Sequence, residues 1–388
     1  MRARGKSAGR RSRIGGRAAL WAAFLMTLGS IPASSGPPWL RLDPPRAPPP
    51  RPSVVGVHTR VTDEADPARI YRTFQMARAM GADWVVEFFP WPYLEPAPGR
   101  LDWSHSDLRI SLARREGLRV IARLGMVPAW ARPWRAPDTY LGPEAVLPFA
   151  RFAAAFAARY RDQVAALVIW NEPNLYIEWG DRPPDPAFFV AVMRAVYREV
   201  KAAAPEVPVL AGGPAPTLED SPRAMNDLRF LREVYAQGIA AYLDGWAMHP
   251  YGFGNPPEEP PDPGRLNFRR VELMRALMRA YGDDRPIYIT EAGWNEAPEY
   301  DHGLPPEVRA DYTVRAYEYA RRNWPWCPVV AMWALRYPWR EDPILEGYAF
   351  LDLDFRPRPT YEAVRRYTQA LREADERGAP SGPTPGAP

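Results

Sequence analysis

The stretch FARFAAAFAARYRDQVAALVIWN, residues 149–171, combines a helix signal with a strand signal. The aromatic residues of its first half are Phe149, Phe152, Phe156 and Tyr160. Their spacing of three and four residues places them on one face of a helix. Residues 166–171 then form a nearly continuous apolar run, which is typical of a strand buried on both faces. The stretch therefore predicts a parallel sheet that is covered by helices.

The same alternation runs through most of the chain. Seven further apolar runs predict strands at residues 54–58, 84–89, 119–124, 207–211, 245–249, 287–291 and 329–335. Amphipathic segments that predict helices follow near residues 67–80, 104–116, 186–204, 223–239, 265–282, 306–324 and 359–373. Strict alternation to eight units predicts a single closed (β/α)8 TIM barrel over residues 53–373, because closure leaves no unpaired sheet edge.

The two ends of the chain differ from the predicted barrel. Residues 1–33 contain an arginine-rich start, a short apolar run and then small residues, which is the order of a signal peptide. An uncleaved membrane anchor and a basic disordered segment are the alternatives. Residues 34–52 are rich in proline and predict an extended linker, and residues 374–388 predict a disordered tail. The leader predicts a secreted or extracytoplasmic protein, attached to a membrane only through that anchor.

Charge and cysteine content exclude several classes of function. The net charge of +4 comes from residues 1–52, which hold ten Lys or Arg and one Asp, whereas the remainder holds 40 basic and 45 acidic residues. A weakly acidic body offers no broad basic surface, so we expect no nucleic-acid partner. Cys327 is the single cysteine and the four histidines are scattered, so the sequence predicts neither a metal site nor a cofactor.

Two predicted strands end in a glutamate. Strand four runs into VIWNEP, residues 168–173, and strand seven into IYITEAGW, residues 287–294, which contain Glu172 and Glu291. In barrels of this kind the chemistry lies at the carboxyl ends of the strands. Two carboxylates that face each other suit cleavage of a glycosidic bond: one protonates the leaving oxygen and the other attacks the anomeric carbon. A structural ion pair at the rim is the alternative for each glutamate.

These motifs resemble those of the clan of retaining barrel glycosidases called clan A, and the chain is nearest to families 5 and 39. The resemblance rests mainly on residues 170–173 and 289–294 and extends over roughly residues 53–371. It implies that Glu172 is the general acid/base, that Glu291 is the nucleophile, and that Asn171 contacts the 2-hydroxyl of the sugar. One feature differs: many members carry an arginine on strand two that steadies the nucleophile. This chain has none there, and Arg123 on strand three is the candidate substitute.

Further residues are predicted to bind the substrate. The resemblance implies a substrate-contacting role for His249, a hydrogen bond from Tyr251 to the nucleophile, and a sugar platform at Trp333. Sugars stack their C–H faces on aromatic rings, so tryptophans just beyond strand ends suit a glycan cleft. Two of them, Trp91 and Trp294, are candidates, as is His58 at the end of strand one. For each of these residues, the alternative is that the side chain packs in the core and does not contact substrate.

The sequence thus predicts a retaining glycoside hydrolase that cleaves a β-linked glycan or glycoside by double displacement. Its expected partner is a carbohydrate, either an oligosaccharide or a polysaccharide. Transglycosylation is a close alternative, and a catalytically weak barrel that binds polysaccharide is another. A phosphate-binding isomerase is disfavoured because no glycine-rich phosphate loop follows the late strands.

Overall fold

The computed structural model describes residue 42, residues 44–46, 53–339 and 342–378. The predicted signal peptide or anchor at residues 1–33 lies outside the described residues, as does most of the linker. The chain divides into two units, Met1–Leu42 and Asp43–Pro388, and the second contains every element described below. Among the described residues, no helix has both the length and the apolar character needed to cross a bilayer.

Eight parallel strands form a closed barrel in the order β1 to β8, and β8 pairs with β1. The fold prediction is therefore confirmed. The strands are β1 Val55–His58, β2 Trp84–Pro90, β3 Arg119–Gly125, β4 Val164–Ile169, β5 Val209–Gly212, β6 Gly245–Met248, β7 Ile287–Ile289 and β8 Val330–Met332. Almost every strand residue is buried on both faces of the sheet, as the apolar runs predicted.

In the part of the chain that the structure describes, eight long helices surround the barrel, and two short ones, α2 and α9, lie in loops at the carboxyl ends of β2 and β8. The helices are α1 Pro67–Met80, α2 Trp91–Leu94, α3 Ser104–Arg115, α4 Val146–Tyr160, α5 Pro186–Ala203, α6 Asp227–Ala236, α7 Val271–Ala280, α8 Pro306–Asn323, α9 Pro343–Glu346 and α10 Pro359–Gly378. One boundary is corrected: α10 continues the chain past residue 373, so residues 374–378 are helical. The rest of the predicted tail lies outside the described residues.

Strands four and seven end earlier than predicted, before the residues of the expected site. In β4 the ladder stops at Ile169, because Trp170 and Glu172 have φ angles of 72° and 37°, which a strand does not accommodate. In β7 the ladder stops at Ile289. The glutamates therefore lie on the turns that leave the strands rather than within the sheet.

Side-chain alternation along the strands separates the packed interior from the layer above it. The interior cluster contains residues from β2 to β8, among them Val86 on β2 and Ile121 on β3. Residues two positions further along a strand face the same way, so Phe88 and Arg123 lie in the next layer toward the carboxyl ends. The packed interior thus forms the floor beneath a polar layer at the barrel mouth.

A buried ion pair joins two outer helices. Asp227 at the start of α6 accepts hydrogen bonds from Arg270, which precedes α7, at 2.7 Å to each carboxylate oxygen. Their side chains are 0% and 1% exposed. Replacement of Asp227 by Ala leaves a buried guanidinium charge unpaired, so we expect a loss of about 3–5 kcal/mol in the free energy of unfolding, measured by chemical denaturation.

The matched control lies on the same helix. Glu233→Ala removes an exposed pair with Arg229, and because solvent screens that pair we expect little change in the denaturation midpoint. Equal losses in the two variants would contradict this account of the buried pair.

Candidate active site

The turn that carries Glu172 has an unusual backbone that is held in place from two sides. Positive φ angles at Trp170 and Glu172 are costly for residues with a side chain and persist only where the surroundings enforce them. The backbone N–H of Trp170 donates to Leu124 at 2.9 Å, and its indole N–H donates to the carbonyl of Glu178 at 2.7 Å. The turn therefore aims Glu172 at the barrel mouth.

The structure brings the two predicted catalytic glutamates together with His249. One carboxylate oxygen of Glu172, one of Glu291 and a ring nitrogen of His249 all lie within 4.8 Å of one another. Retaining glycosidases hold their carboxyl groups about 5–5.5 Å apart, whereas inverting enzymes leave about 6.5–9.5 Å for a water molecule. The two carboxyl groups are therefore close enough to act on the same sugar ring.

His249 lies against both glutamates. Its Nδ1 is 2.9 Å from Glu172 Oε1 and 4.0 Å from Glu291 Oε2, and its Nε2 is 3.1 Å from the Thr290 hydroxyl. Burial acts to lower the pKa of His249, but the negative charge of Glu291 and the hydrogen bond with Glu172 more than offset it and raise this pKa. The imidazole thus favours its charged form next to two carboxylates.

Glu291 receives two donors, one on each oxygen. Arg123 Nη1 donates to Oε1 at 3.1 Å, and the Tyr251 hydroxyl donates to Oε2 at 2.9 Å. Burial, together with the charge of Glu291, raises the pKa of Tyr251 well above its usual value, so the phenol keeps its proton. These two contacts hold the Glu291 carboxylate in one orientation at the barrel mouth.

Arg123 makes the contact with Glu291 that the missing strand-two arginine was expected to make. Its Nη1 donates both to Glu291 and to the amide oxygen of Asn171, and its guanidinium lies over the ring of Phe88 at 4.7 Å from the ring centre. The arginine comes from β3 rather than β2, yet it reaches the same carboxylate. The predicted substitution of the missing strand-two arginine therefore has the required geometry.

Glu178 is a site residue that the sequence reasoning missed. It lies on a short 3₁₀ helix, Ile177–Trp179, and its Oε1 accepts from Asn171 Nδ2 at 3.0 Å. It lines a pocket of about 220 Å³ together with Arg60, Arg123 and Asn171. It lies six positions after Glu172 in a loop, and no sequence period links the two, so only proximity to the WNEP motif could have suggested it.

Trp333 and His58 lie close to the site but differ in exposure. Trp333 is 8% exposed and packs edge-on against Tyr348, which also contacts Tyr251. His58 is 0% exposed, and burial and the charge of Arg123 lower its pKa well below the ordinary value. His58 is therefore neutral and fully covered, whereas Trp333 keeps a small exposed area near Tyr251 and Tyr348.

Two of the predicted sugar-binding tryptophans lie in the core instead. Trp91 is 0% exposed and stacks on Phe152 of α4, with its indole N–H bonded to Glu95. Trp294 is 1% exposed and donates its indole N–H to the carbonyl of Asn255. These predictions are corrected, because residues beyond a strand end fold back under the loops that follow and their rings are covered.

The cluster of Glu172, His249 and Glu291 has the composition of a metal-ligand set. Hydrogen bonds already engage both ring nitrogens of His249, with Glu172 on one side and Thr290 on the other. Both oxygens of Glu291 accept from Arg123 and Tyr251. Hydrogen bonding thus accounts for the arrangement of these groups, and the absence of a metal requirement stays a prediction.

No protein-family model and no curated protein sequence matches the chain. Among solved structures it is similar to a family 39 glycoside hydrolase from Bacteroides cellulosilyticus WH2, with a TM-score of 0.67 and 23% identity over 83% of this chain. The chain spans 64% of the length of that structure. At this identity the likeness shows the barrel fold.

Two further structures are similar to the chain. A GH5_18 protein from Streptomyces cattleya in complex with GlcNAc has a TM-score of 0.63 and 21% identity, covering 87% of this chain and 82% of its own. An exo-β-1,4-mannosidase from Opitutaceae bacterium strain TAV5 has a TM-score of 0.58 and 15% identity, covering 86% and 63%. They support the same barrel fold.

The pKa of His249 reports on the two neighbouring glutamates, because both raise it. We expect its imidazole to stay protonated above pH ~6.5, the ordinary pKa of histidine, and Glu291→Gln and Glu172→Gln each to lower this pKa. Nuclear magnetic resonance of the ring protons against pH measures the shift. His105, whose charged neighbours are Arg109, Glu87 and Asp63, serves as the control. An unchanged His249 titration in both variants contradicts the assigned geometry.

Proposed function

We propose that this protein is a retaining glycoside hydrolase in which Glu291 is the nucleophile and Glu172 the general acid/base. The proposal rests on the carboxylate oxygens that lie within 4.8 Å of each other at the mouth of the barrel. Their surroundings differ, and we assign the roles on that difference. Glu291 accepts hydrogen bonds from a guanidinium and a phenol, which hold it in one orientation, whereas the Glu172 carboxyl group is bonded to the ring of His249.

The reaction follows from that division in two steps. In the first, a Glu291 oxygen forms a bond to the anomeric carbon while the bond to the leaving oxygen breaks and Glu172 gives that oxygen its proton. In the second, Glu172 takes a proton from water, the water oxygen bonds to the anomeric carbon, and Glu291 leaves as a carboxylate. Two inversions give net retention.

The substrate we propose is a β-linked glycoside whose sugar ring lies at the barrel mouth between Glu172 and Glu291. A pocket of about 220 Å³ lined by Arg123 and Asn171 adjoins this position and offers room for part of the substrate. Similar structures include GH5_18 variants in complex with Manβ1-4GlcNAc and an exo-β-1,4-mannosidase. A panel of aryl β-glycosides that includes mannosides and N-acetylglucosaminides therefore tests the sugar.

Arg123 bears on the alternative of a catalytically weak, polysaccharide-binding barrel. The observation that favoured it was the missing arginine of strand two. Arg123 supplies an equivalent contact to Glu291, so that observation no longer favours the weak barrel. Transglycosylation uses the same intermediate and differs only in the acceptor, which product analysis distinguishes.

We also propose that the protein is exported, on the strength of the leader in residues 1–33. Cell fractionation of a producing strain tests this proposal, and the mass of the mature chain shows whether the leader is removed. Retention of the full chain in the cytoplasm contradicts it.

Removal of either catalytic carboxylate should abolish turnover. For Glu291→Gln and Glu172→Gln we expect kcat on an active aryl β-glycoside to fall by at least about 10²–10⁴-fold, because nucleophile and proton transfer are lost. With the truncated variants Glu172→Ala and Glu291→Ala, azide should enter the vacated space and restore turnover, giving the β-glycosyl azide with the first variant and the α-glycosyl azide with the second. Glu299→Gln, at an exposed position eight residues after Glu291, is the control and should keep full activity.

The stereochemistry provides an independent measurement. The first-formed sugar should have the β configuration, followed by proton magnetic resonance before mutarotation. Release of the α anomer excludes double displacement on Glu291, and binding of polysaccharide without turnover by the wild type favours the weak barrel instead.

Chelation tests the metal prediction. Because hydrogen bonds account for the Glu172, His249 and Glu291 cluster, we expect unchanged kcat after treatment with EDTA and dialysis. A loss that added Zn²⁺ or Mg²⁺ restores would assign the cluster to a metal.

A further inference from the structure

Glu178 is a third carboxyl group in the site, and the proposed reaction does not use it. Its carbonyl oxygen accepts from the indole of Trp170, and its side chain accepts from the amide of Asn171. Both partners belong to the strained turn that carries Glu172. The side chain also forms part of the pocket wall beside Arg123. A glutamate with these contacts is placed to influence that turn.

Hydrogen bonds connect Glu178 to the nucleophile through Asn171 and Arg123. Glu178 Oε1 accepts from Asn171 Nδ2 at 3.0 Å, Asn171 Oδ1 accepts from Arg123 Nη1, and Arg123 Nη1 donates to Glu291 Oε1 at 3.1 Å. If the Asn171 amide were flipped, its oxygen would face the Glu178 oxygen, which is also an acceptor, and its NH₂ group would face the Arg123 guanidinium, which is also a donor. Glu178 and Arg123 together therefore fix one orientation of the amide, and the second Nδ2 hydrogen stays available to a ligand.

We propose that Glu178 is a positioning residue that fixes the Asn171 amide beside the nucleophile, and that its carboxyl group, which lies in the pocket wall, also acts on the reaction through its charge. This inference rests on the proposed glycosidase function. Asn171 is the residue expected to contact the sugar 2-hydroxyl, and hydrogen bonds to that hydroxyl strengthen in the transition state. Loss of its orientation should therefore affect kcat more than KM.

The charge of Glu178 is set by groups on several elements. Burial, followed by the negative charge of Glu172, raises the pKa of Glu178 to about 7; Arg123 and the Asn171 hydrogen bond oppose this, and Glu291 adds to it. Arg60 and Asp63 face the same pocket. Glu178 is thus neutral below about pH 7 and negative above it.

The ionised form should assist the reaction. The transition state of glycoside cleavage resembles an oxocarbenium ion and is positively charged, so a nearby carboxylate stabilises it. The neutral acid keeps an oxygen that accepts from Asn171 but lacks the charge. The ratio of wild-type kcat to the kcat of a variant whose side chain at position 178 is always neutral should therefore increase as the pH rises through 7.

Glu178→Gln is the direct test, because glutamine has the shape of the protonated acid and keeps an acceptor for Asn171. We expect kcat within about twofold of wild type at pH 5.5 and roughly fivefold below it at pH 8.5, the scale of one partly screened charge interaction. Glu178→Ala, which removes the acceptor, should lower kcat at both pH values with a smaller change in KM. Glu299→Gln is the matched control and should follow wild type throughout.

Two measurements separate a positioning role from a merely structural one. The kcat lost in Glu178→Ala should shrink on an aryl 2-deoxyglycoside, where Asn171 has no hydroxyl to bind. Carboxyl resonances of ¹³C-labelled glutamate should show one group that titrates near pH 7 in wild type and vanishes in Glu178→Gln; this readout needs no activity. Parallel pH profiles of wild type and Glu178→Gln, or no such resonance, overturn the inference, whereas an inactive wild type that retains the resonance contradicts only the proposed function.

Discussion

The site depends on holding two largely buried carboxyl groups close together. One oxygen of Glu172 and one of Glu291 lie within 4.8 Å of each other at the rim of the barrel, so any charge on them must be balanced by groups that arrive from other strands. Arg123 comes from β3, while His249 and Tyr251 follow β6. A closed parallel barrel directs the carboxyl ends of all its strands to one rim, which is why these groups can converge.

The same requirement explains the strain in the WNEP turn. Trp170 and Glu172 adopt positive φ angles that an isolated peptide would avoid, so the surrounding structure must enforce them. Trp170 packs edge-on against Phe149 of α4 and against Trp179, and its indole is bonded to Glu178. The helix-face aromatics that indicated the fold thus also support the turn that presents Glu172.

Sequence reasoning was most reliable where a pattern repeats. Apolar runs of five to seven residues gave the eight strands, and the errors concern their ends, as at β4, where positive φ angles stop the ladder. Glu172 and Glu291 came from motifs at strand ends and do converge. Trp91 and Trp294 were misplaced because a sequence position beyond a strand does not show whether the loop turns its ring outward or inward.

By itself, the sequence determined the barrel, the rim that carries the chemistry and the two glutamates, because hydrophobic periodicity and the motifs at strand ends are local properties of the chain. The sequence offered Arg123 and Tyr251 as candidate partners of Glu291, but only the tertiary structure decided which side chains meet. Arg123 reaches Glu291 across 168 residues, and Glu178 contacts Asn171 through a loop with no periodicity. Contacts of this kind depend on how loops and strands close in space, and charges act on one another through that space, so the sequence does not specify them.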